Sequence, residues 1–296
     1  MPDEYQVDPS VGIVPDPDHL PKDTIDEFKA NDAGNGERLV DLKRDVIRYV
    51  EDTDQWLIWD GMRWKPDTGT AILRHAIEVA REVQGRLPAE VKGHSKEAEA
   101  TRAAVVRWCN RSLDEPRLKA AINTAKADAR IIVQSSDLDT QVAYLNTPGG
   151  VYDMANGAVL KHDPALMITQ ITLGNPAGAA DVSRPDGALW ASLLGRWQPD
   201  ATLRAWLQAL MAGSAIGRSS ERLVIHRGGG LNGKSRFLDA NRAALGDYAL
   251  ATRSELLTGT SRNSAEAPTP ALMALRNVRL AAVDELDEGA VLNSMI

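Results

Sequence analysis

Arg222 to Phe237 reads RLVIHRGGGLNGKSRF, an apolar run that breaks into glycines and ends in Gly233-Lys234-Ser235. From Gly228 the order is a glycine, four residues, then Gly-Lys-Ser, the spacing of a Walker A phosphate loop. Such a loop constrains the fold on both sides, because it joins a strand to a helix. Leu223, Val224 and Ile225 are the short apolar strand expected of a buried parallel sheet. Gly228, Gly229, Gly230 and Gly233 can take backbone angles that other residues avoid, so that successive N–H groups turn toward one anion. Leu231 and Asn232 complete the loop, and the helix expected from about Lys234 adds the positive end of its dipole. Lys234 is then placed to reach the outer phosphates and the Ser235 hydroxyl to ligate Mg2+.

The same residues satisfy a second pattern, G-x-G-x-x-G, through Gly228, Gly230 and Gly233, and Glu255 follows at about the distance of a ribose-binding acid. A dinucleotide turn has no use for Lys-Ser at its end, and Asn232 would crowd the close backbone approach. A glycine-rich surface turn is the plain alternative. Further along, Val278-Arg279-Leu280-Ala281-Ala282-Val283-Asp284-Glu285 is an apolar strand ending in two acids. Alone this means little. After a Walker A loop it forms a pair, in which Asp284 holds Mg2+ through water and Glu285 orients or deprotonates the attacking water.

At 296 residues the chain is long enough for two domains, or for one and much of another. The net charge of −7 is local: residues 1–35 carry nine acids and two lysines, leaving 32 bases against 32 acids elsewhere. A balanced body neither favours nor excludes nucleic acid, because a basic channel can be local. The single cysteine, Cys109, excludes a disulfide framework and a cysteine zinc site, and its neighbours Val105, Val106 and Trp108 suggest a buried structural thiol. No apolar run is long enough for a membrane span and no basic start leads into an apolar segment, so a cytoplasmic protein is expected.

Residues 1–30, rich in Pro and Asp, read as a flexible acidic arm. Order is expected from about Asn35, where Leu39, Leu42, Val46 and Ile47 recur at helical spacing. Gln55 to Trp59 and Met62 to Lys65 flank Asp60-Gly61, a favoured two-residue hairpin turn. This hairpin carries Trp56, Trp59 and Trp64 beside Arg63 and Lys65. Aromatics interleaved with bases can stack single-stranded nucleic acid, but core packing is the preferred reading. Helices are expected over 70–84 and 96–113 and from Glu115-Pro116. A second hairpin turns at Asn156-Gly157. His75 and His162 have no partner at metal-ligand spacing and read as ordinary surface or loop residues. Pro, Gly, Ala and Asp over 175–185 mark a linker. Helices follow over 186–197 and 199–216, bringing Trp190, Trp197 and Trp206 as packing residues, and another runs to about Leu245, closed by Gly246. A strand near Tyr248–Ala251 and a mobile loop over Thr258–Pro270 complete the reading. The domain plan is an arm at 1–30, a domain at 31–174, a linker at 175–185 and a phosphate-loop domain at 186–296.

In this order the motifs resemble the superfamily 3 helicases of phage and plasmid primase-helicases, relatives of the poxvirus primase-helicase. The similarity runs from about Asn31 to Ile296. It rests on Asn31 to Arg38, Trp56 to Trp64, Leu145-Asn146, Gly150 to Asp153, Asn156-Gly157, and Gly230-Leu231-Asn232-Gly233-Lys234-Ser235 with Asn before Gly-Lys-Ser. The resemblance implies an α/β chain, with a mixed α+β N-terminal region followed by the first part of an AAA+-like P-loop NTPase domain. It implies ATP and Mg2+ as ligands, Lys234 and Glu285 as catalytic residues, and Ser235 and Asp284 at the metal. It also implies a homo-oligomeric ring, usually a hexamer, moving on single-stranded DNA at a replication fork in a bacterial or phage-infected host.

Two departures shape the expectation. No primase domain is expected ahead of residue 31, and the 68 residues that follow Gly228 fall short of a whole ATPase module. The chain therefore reads as an N-terminal portion of an ATP-dependent DNA helicase. The alternative is a catalytically inactive nucleotide- or partner-binding fragment. A small-molecule kinase using the same loop lacks a recognisable lid.

Overall fold

The structure, a computed structural model, describes residues 31–175, 185–217, 223–252, 254 and 274–283. It is mixed α/β, with seven α-helices and three small sheets among the described residues. The expected arm at 1–30, most of the linker (176–184), the loop at 258–270, Glu255, Asp284 and Glu285 lie outside the described residues. Contacts gather the described residues into two compact units that do not follow sequence order: 31–44 join 69–131, and 45–68 join the described residues from 132 onward. Parts of the expected 31–174 domain thus share a unit with the phosphate loop.

The first unit is helical: α1 (Asp32–Lys43), α2 (Ala71–Glu90), α3 (Lys96–Ser112) and α4 (Glu115–Ala125). Asn31 starts α1 by accepting the Gly34 N–H at 2.8 Å, which satisfies a donor that the helix itself leaves free. The core draws on every helix, with Leu39, Val40, Val79, Val83, Cys109, Leu118 and Ala125 buried. Helix α1 lies close on α4 at Gly36, where a Cβ would fall 2.2 Å from Thr124 Oγ1 and 2.9 Å from the Ala121 carbonyl. The Arg38 guanidinium, itself buried, sits 5.1 Å from the Trp108 ring centre. Cys109 is fully buried, as its neighbours suggested, and burial pushes its thiol pKa up.

The second unit departs from the expected helical continuation at its first residues. Val46 and Ile47 do not extend α1; Ile47 opens strand β1 (Ile47–Val50), in a sheet ordered β3-β2-β1-β4 with β2 (Gln55–Trp59), β3 (Trp64–Pro66) and β4 (Ile132–Val133). The β2–β3 turn also differs from the two-residue form expected. Trp59 pairs with Trp64, so the loop spans residues 60–63. Asp60 Oδ1 accepts the N–H groups of Met62 and Arg63, both at 2.9 Å, and its own N–H donates to the Arg63 carbonyl. A short acidic side chain that satisfies the next backbone donors favours this wider turn. Trp64 is fully buried, donates its indole N–H to the Pro164 carbonyl at 2.8 Å and is covered by Arg48 at 4.7 Å; Trp56 is also buried. Packing, not an exposed stacking platform, is the role these rings have here.

Strands β5 (Tyr144–Thr147), β6 (Gly150–Asp153) and β7 (Val159–Leu160) form an antiparallel meander, turning at Asn156-Gly157 as expected. Helices α5 (Pro185–Trp197), α6 (Ala201–Ile216) and α7 (Lys234–Leu245) follow, then the parallel pair β8 (Ala249–Thr252) and β9 (Leu280–Val283). Leu145, Leu245 and Tyr248 make a buried cluster that joins the meander to the end of α7. Beneath it Tyr248 accepts the Asn146 N–H at 3.0 Å. Leu223, Val224 and Ile225 are not a buried strand: no ladder forms there, and Leu223 and Ile225 are 55% and 65% exposed. Among the described residues no strand lies against this segment to complete its hydrogen bonds, and an apolar sequence alone does not make a strand. No helix among the described residues is long and apolar enough to cross a membrane.

Candidate functional site

Gly228 to Gly233 form an open loop that runs directly into α7, with Lys234 as the first helical residue and Ser235 as the second. Gly233 caps the helix at φ 82°, a left-handed angle that side chains resist. A Cβ there would also fall 2.3 Å from the Trp197 ring. At Gly228 a Cβ would fall 2.3 Å from Asn232 Nδ2, so the first and last glycines of the loop are both held by close neighbours. The first turn of α7 contains no acidic residue and Gly233 offers no side-chain cap. Its leading N–H groups lack intrahelical partners, and the positive end of the helix dipole stays unneutralised. Arg227 and Arg236 are exposed on either side, which makes this an electropositive rim suited to an anion.

Lys234 folds back over the loop. Its Nζ donates to Asn232 Oδ1 at 2.8 Å, to the Gly228 carbonyl at 3.0 Å and to the Gly229 carbonyl at 3.1 Å. Below the loop, Trp190 stacks on Phe237 with centroids 6.2 Å apart and meets Trp197 edge-on at 6.1 Å. Trp190 and Trp197 thus pack, as expected, and the contact of Trp197 with Gly233 is new. A spacing of seven residues puts both rings on one helical face, a signal that a search for partner aromatics would have used. His226 lies 6.0 Å from Phe237, and burial together with the charge of Lys234 holds its pKa below the usual histidine range.

A cavity of about 1540 Å³ opens beside the loop. Gly228, Asn232, Lys234 and Ser235 form one wall, Trp206 and Leu210 of α6 another, and Leu280 to Val283 of β9 a third. The loop and the strand that leads in sequence to Asp284 therefore face one space. Gly230, Leu231 and Gly233 also line it, and Leu231 is fully exposed at φ 61°. Arg279, unremarked in the sequence, anchors β9: it stacks over Tyr248 at 4.3 Å and donates to the carbonyls of Ala215 and Tyr144, each at 2.5 Å.

Among the described residues no cluster of three His, Cys, Asp or Glu is arranged to hold a metal ion. His162 Nε2 lies 2.8 Å from the Thr147 carbonyl and His75 Nδ1 lies 3.3 Å from Glu78, local contacts that suit ordinary histidines. A family model described as "D5 N terminal like" matches residues 36–209. Its domain is found in phage and viral primase-helicase proteins. The match stops before the glycine loop. No curated protein matches the chain.

Proposed function

The chain belongs to the D5 N terminal like family, and from that we propose that it is an ATP-dependent DNA helicase subunit of the phage and plasmid replication type. The observation that carries this reading is the shared cavity, where a glycine loop capping a helix faces the strand that runs on to Asp284-Glu285. The loop fits a triphosphate. Two of its glycines sit where any side chain would clash, the helix end is electropositive, and a lysine stands at the first helical position. Lys234 would pair with the outer phosphates, Ser235 would offer its hydroxyl to Mg2+, and Asp284, which follows β9 in sequence, would be its second ligand. When bound, the ion neutralises charge on the phosphate oxygens. Glu285 would orient the attacking water and take its proton.

Single-stranded DNA and a ring of like subunits are the partners this reading implies. It is tested with a fluorescent ATP analogue and the 296-residue chain: saturable binding that Lys234→Ala weakens at least about tenfold supports it. Unchanged binding in that variant overturns it. The alternative, a nucleotide- or partner-binding fragment without turnover, draws on the unladdered Leu223–Ile225 segment and on the pairing of β9 with β8 alone among the described residues. Single-stranded DNA that stimulates ATP hydrolysis by this chain excludes that alternative.

A further inference from the structure

Six of the seven tryptophans rest against another ring or a guanidinium: Trp56 on Tyr49, Trp59 on Trp64, Trp190 on Trp197 and Phe237, and Trp108 beside Arg38. Trp206 is the exception. Among the described residues no ring or cation faces it, its indole N–H makes no hydrogen bond, and it is 46% exposed. The packing role expected of it is therefore not the one it has here. A half-exposed indole forgoes much of the stabilisation that burying so large a ring would give.

What Trp206 faces is the cavity beside the glycine loop, which it lines from α6 while Lys234 and Ser235 line another wall. Ala209, Leu210 and Gly213 follow it at three, four and seven positions, the spacing of one helical face, and all three line the same cavity. Ala209 and Gly213 are too small to cover the ring, and a Cβ added at Gly213 would meet nothing within 4 Å. Ser214 turns its hydroxyl back to the Leu210 carbonyl at 3.3 Å. The α6 wall thus offers an open aromatic face and apolar carbon, with no charge or amide beside it. The loop wall is the reverse, a cation and a hydroxyl at an electropositive helix end.

A ligand that matches both walls has a flat aromatic end and a polyanionic end. Resting on the reading of this cavity as a nucleotide site, we propose that Trp206 is the ring on which the purine base of a nucleoside triphosphate stacks, while the loop holds its phosphates. At about 1540 Å³ the cavity exceeds the roughly 300–1,000 Å³ of ordinary ligand sites, so a whole nucleotide fits within it. Stacking uses the π-face that every base has, and telling adenine from guanine needs hydrogen bonds to the base edge. The α6 wall has no side chain for that, so it accepts either purine.

Isothermal titration calorimetry of the 296-residue chain with Mg2+ and ATP, GTP or inorganic tripolyphosphate tests the base subsite. Trp206→Leu keeps an apolar side chain but removes the ring face. It is expected to weaken ATP and GTP binding about tenfold each and to leave tripolyphosphate binding unchanged, whereas Trp206→Phe recovers most of the loss. A residue that only packs would affect all three ligands alike, and phenylalanine would rescue no better than leucine. If wild type binds ATP and Trp206→Leu binds it as tightly, or loses tripolyphosphate to the same degree, the base subsite is wrong and the phosphate loop stands. If wild type binds neither ATP nor tripolyphosphate, the nucleotide reading fails and the subsite falls with it.

Discussion

Gly36 and Gly85 show how differently one residue type can be used within the first unit. Gly36 lets α1 approach α4 so closely that a Cβ would press on Thr124 and on the Ala121 carbonyl. Gly85 lies exposed in α2 with nothing within 4 Å of an added Cβ. Alanine removes the backbone entropy cost of glycine in both places, but at Gly36 overpacking dominates. Gly36→Ala is expected to destabilise by about 1–3 kcal/mol, whereas Gly85→Ala stabilises by about 0.5–1 kcal/mol. Urea unfolding of the two variants decides it, and a loss at both positions would contradict the packing described for α2. The sequence marks both residues only as glycines inside helices. The difference between them is made by a neighbour of Gly36 that lies 88 positions away, Thr124.

The elements best read from sequence are those set by local periodicity. Helices α3 and α5 to α7 begin and end within about two residues of expectation and α4 starts where Pro116 marks a first turn, because apolar spacing, a first-turn proline and Gly246 as a stop are local signals, whereas α2 runs on past its expected end at 84 to Glu90. Errors arise where a local pattern has two solutions. Val46 and Ile47 continue the apolar spacing of α1, yet Ile47-Arg48-Tyr49-Val50 alternates as a strand, and pairing with β2 and β4 decides for the strand. Leu223 to Ile225 has strand composition and no ladder partner among the described residues. The phosphate loop was legible as a motif; the hold of Asn232 on Lys234 was not, since a side-chain amide two residues away can point to either side of a loop. Asp60-Gly61 was recognised as a turn but not as a four-residue one, because the width is set by the Asp60 carboxylate. Asp60→Ala leaves the N–H groups of Met62 and Arg63 without that acceptor and also removes an ion pair to Arg63. These N–H groups are exposed enough for water to replace part of the loss. The expected cost is about 0.5–1.5 kcal/mol, read as a shift in the urea midpoint with unchanged slope, and a variant as stable as wild type would show that Gly61 alone sets the turn.

At the scale of the molecule, the two units carry separate natural reporters. Of the seven tryptophans in the sequence, only Trp108 lies in the helical unit, beside the sole cysteine. The Cys109 thiol is fully buried among the helices and burial raises its pKa, so it stays protonated where an exposed thiol has begun to ionise. Only the thiolate attacks a disulfide reagent, so both access and charge protect it. Modification of the native chain is therefore expected to run at least about a hundredfold slower than in denaturant, the gap set by the opening of the surrounding helices. The direction with pH follows from the shift. The unfolded chain loses the thiol proton first, so the stability contributed by the buried neutral thiol is complete below about pH 8 and declines as pH rises through the ordinary thiol range. Measured labelling with a coloured disulfide reagent should thus accelerate between pH 8 and about 10 more steeply than that of a free thiol, because ionisation and opening both increase. Rapid stoichiometric labelling at neutral pH would mean that α2, α3 and α4 do not enclose Cys109 in solution, and would withdraw the helical core on which the first unit is built.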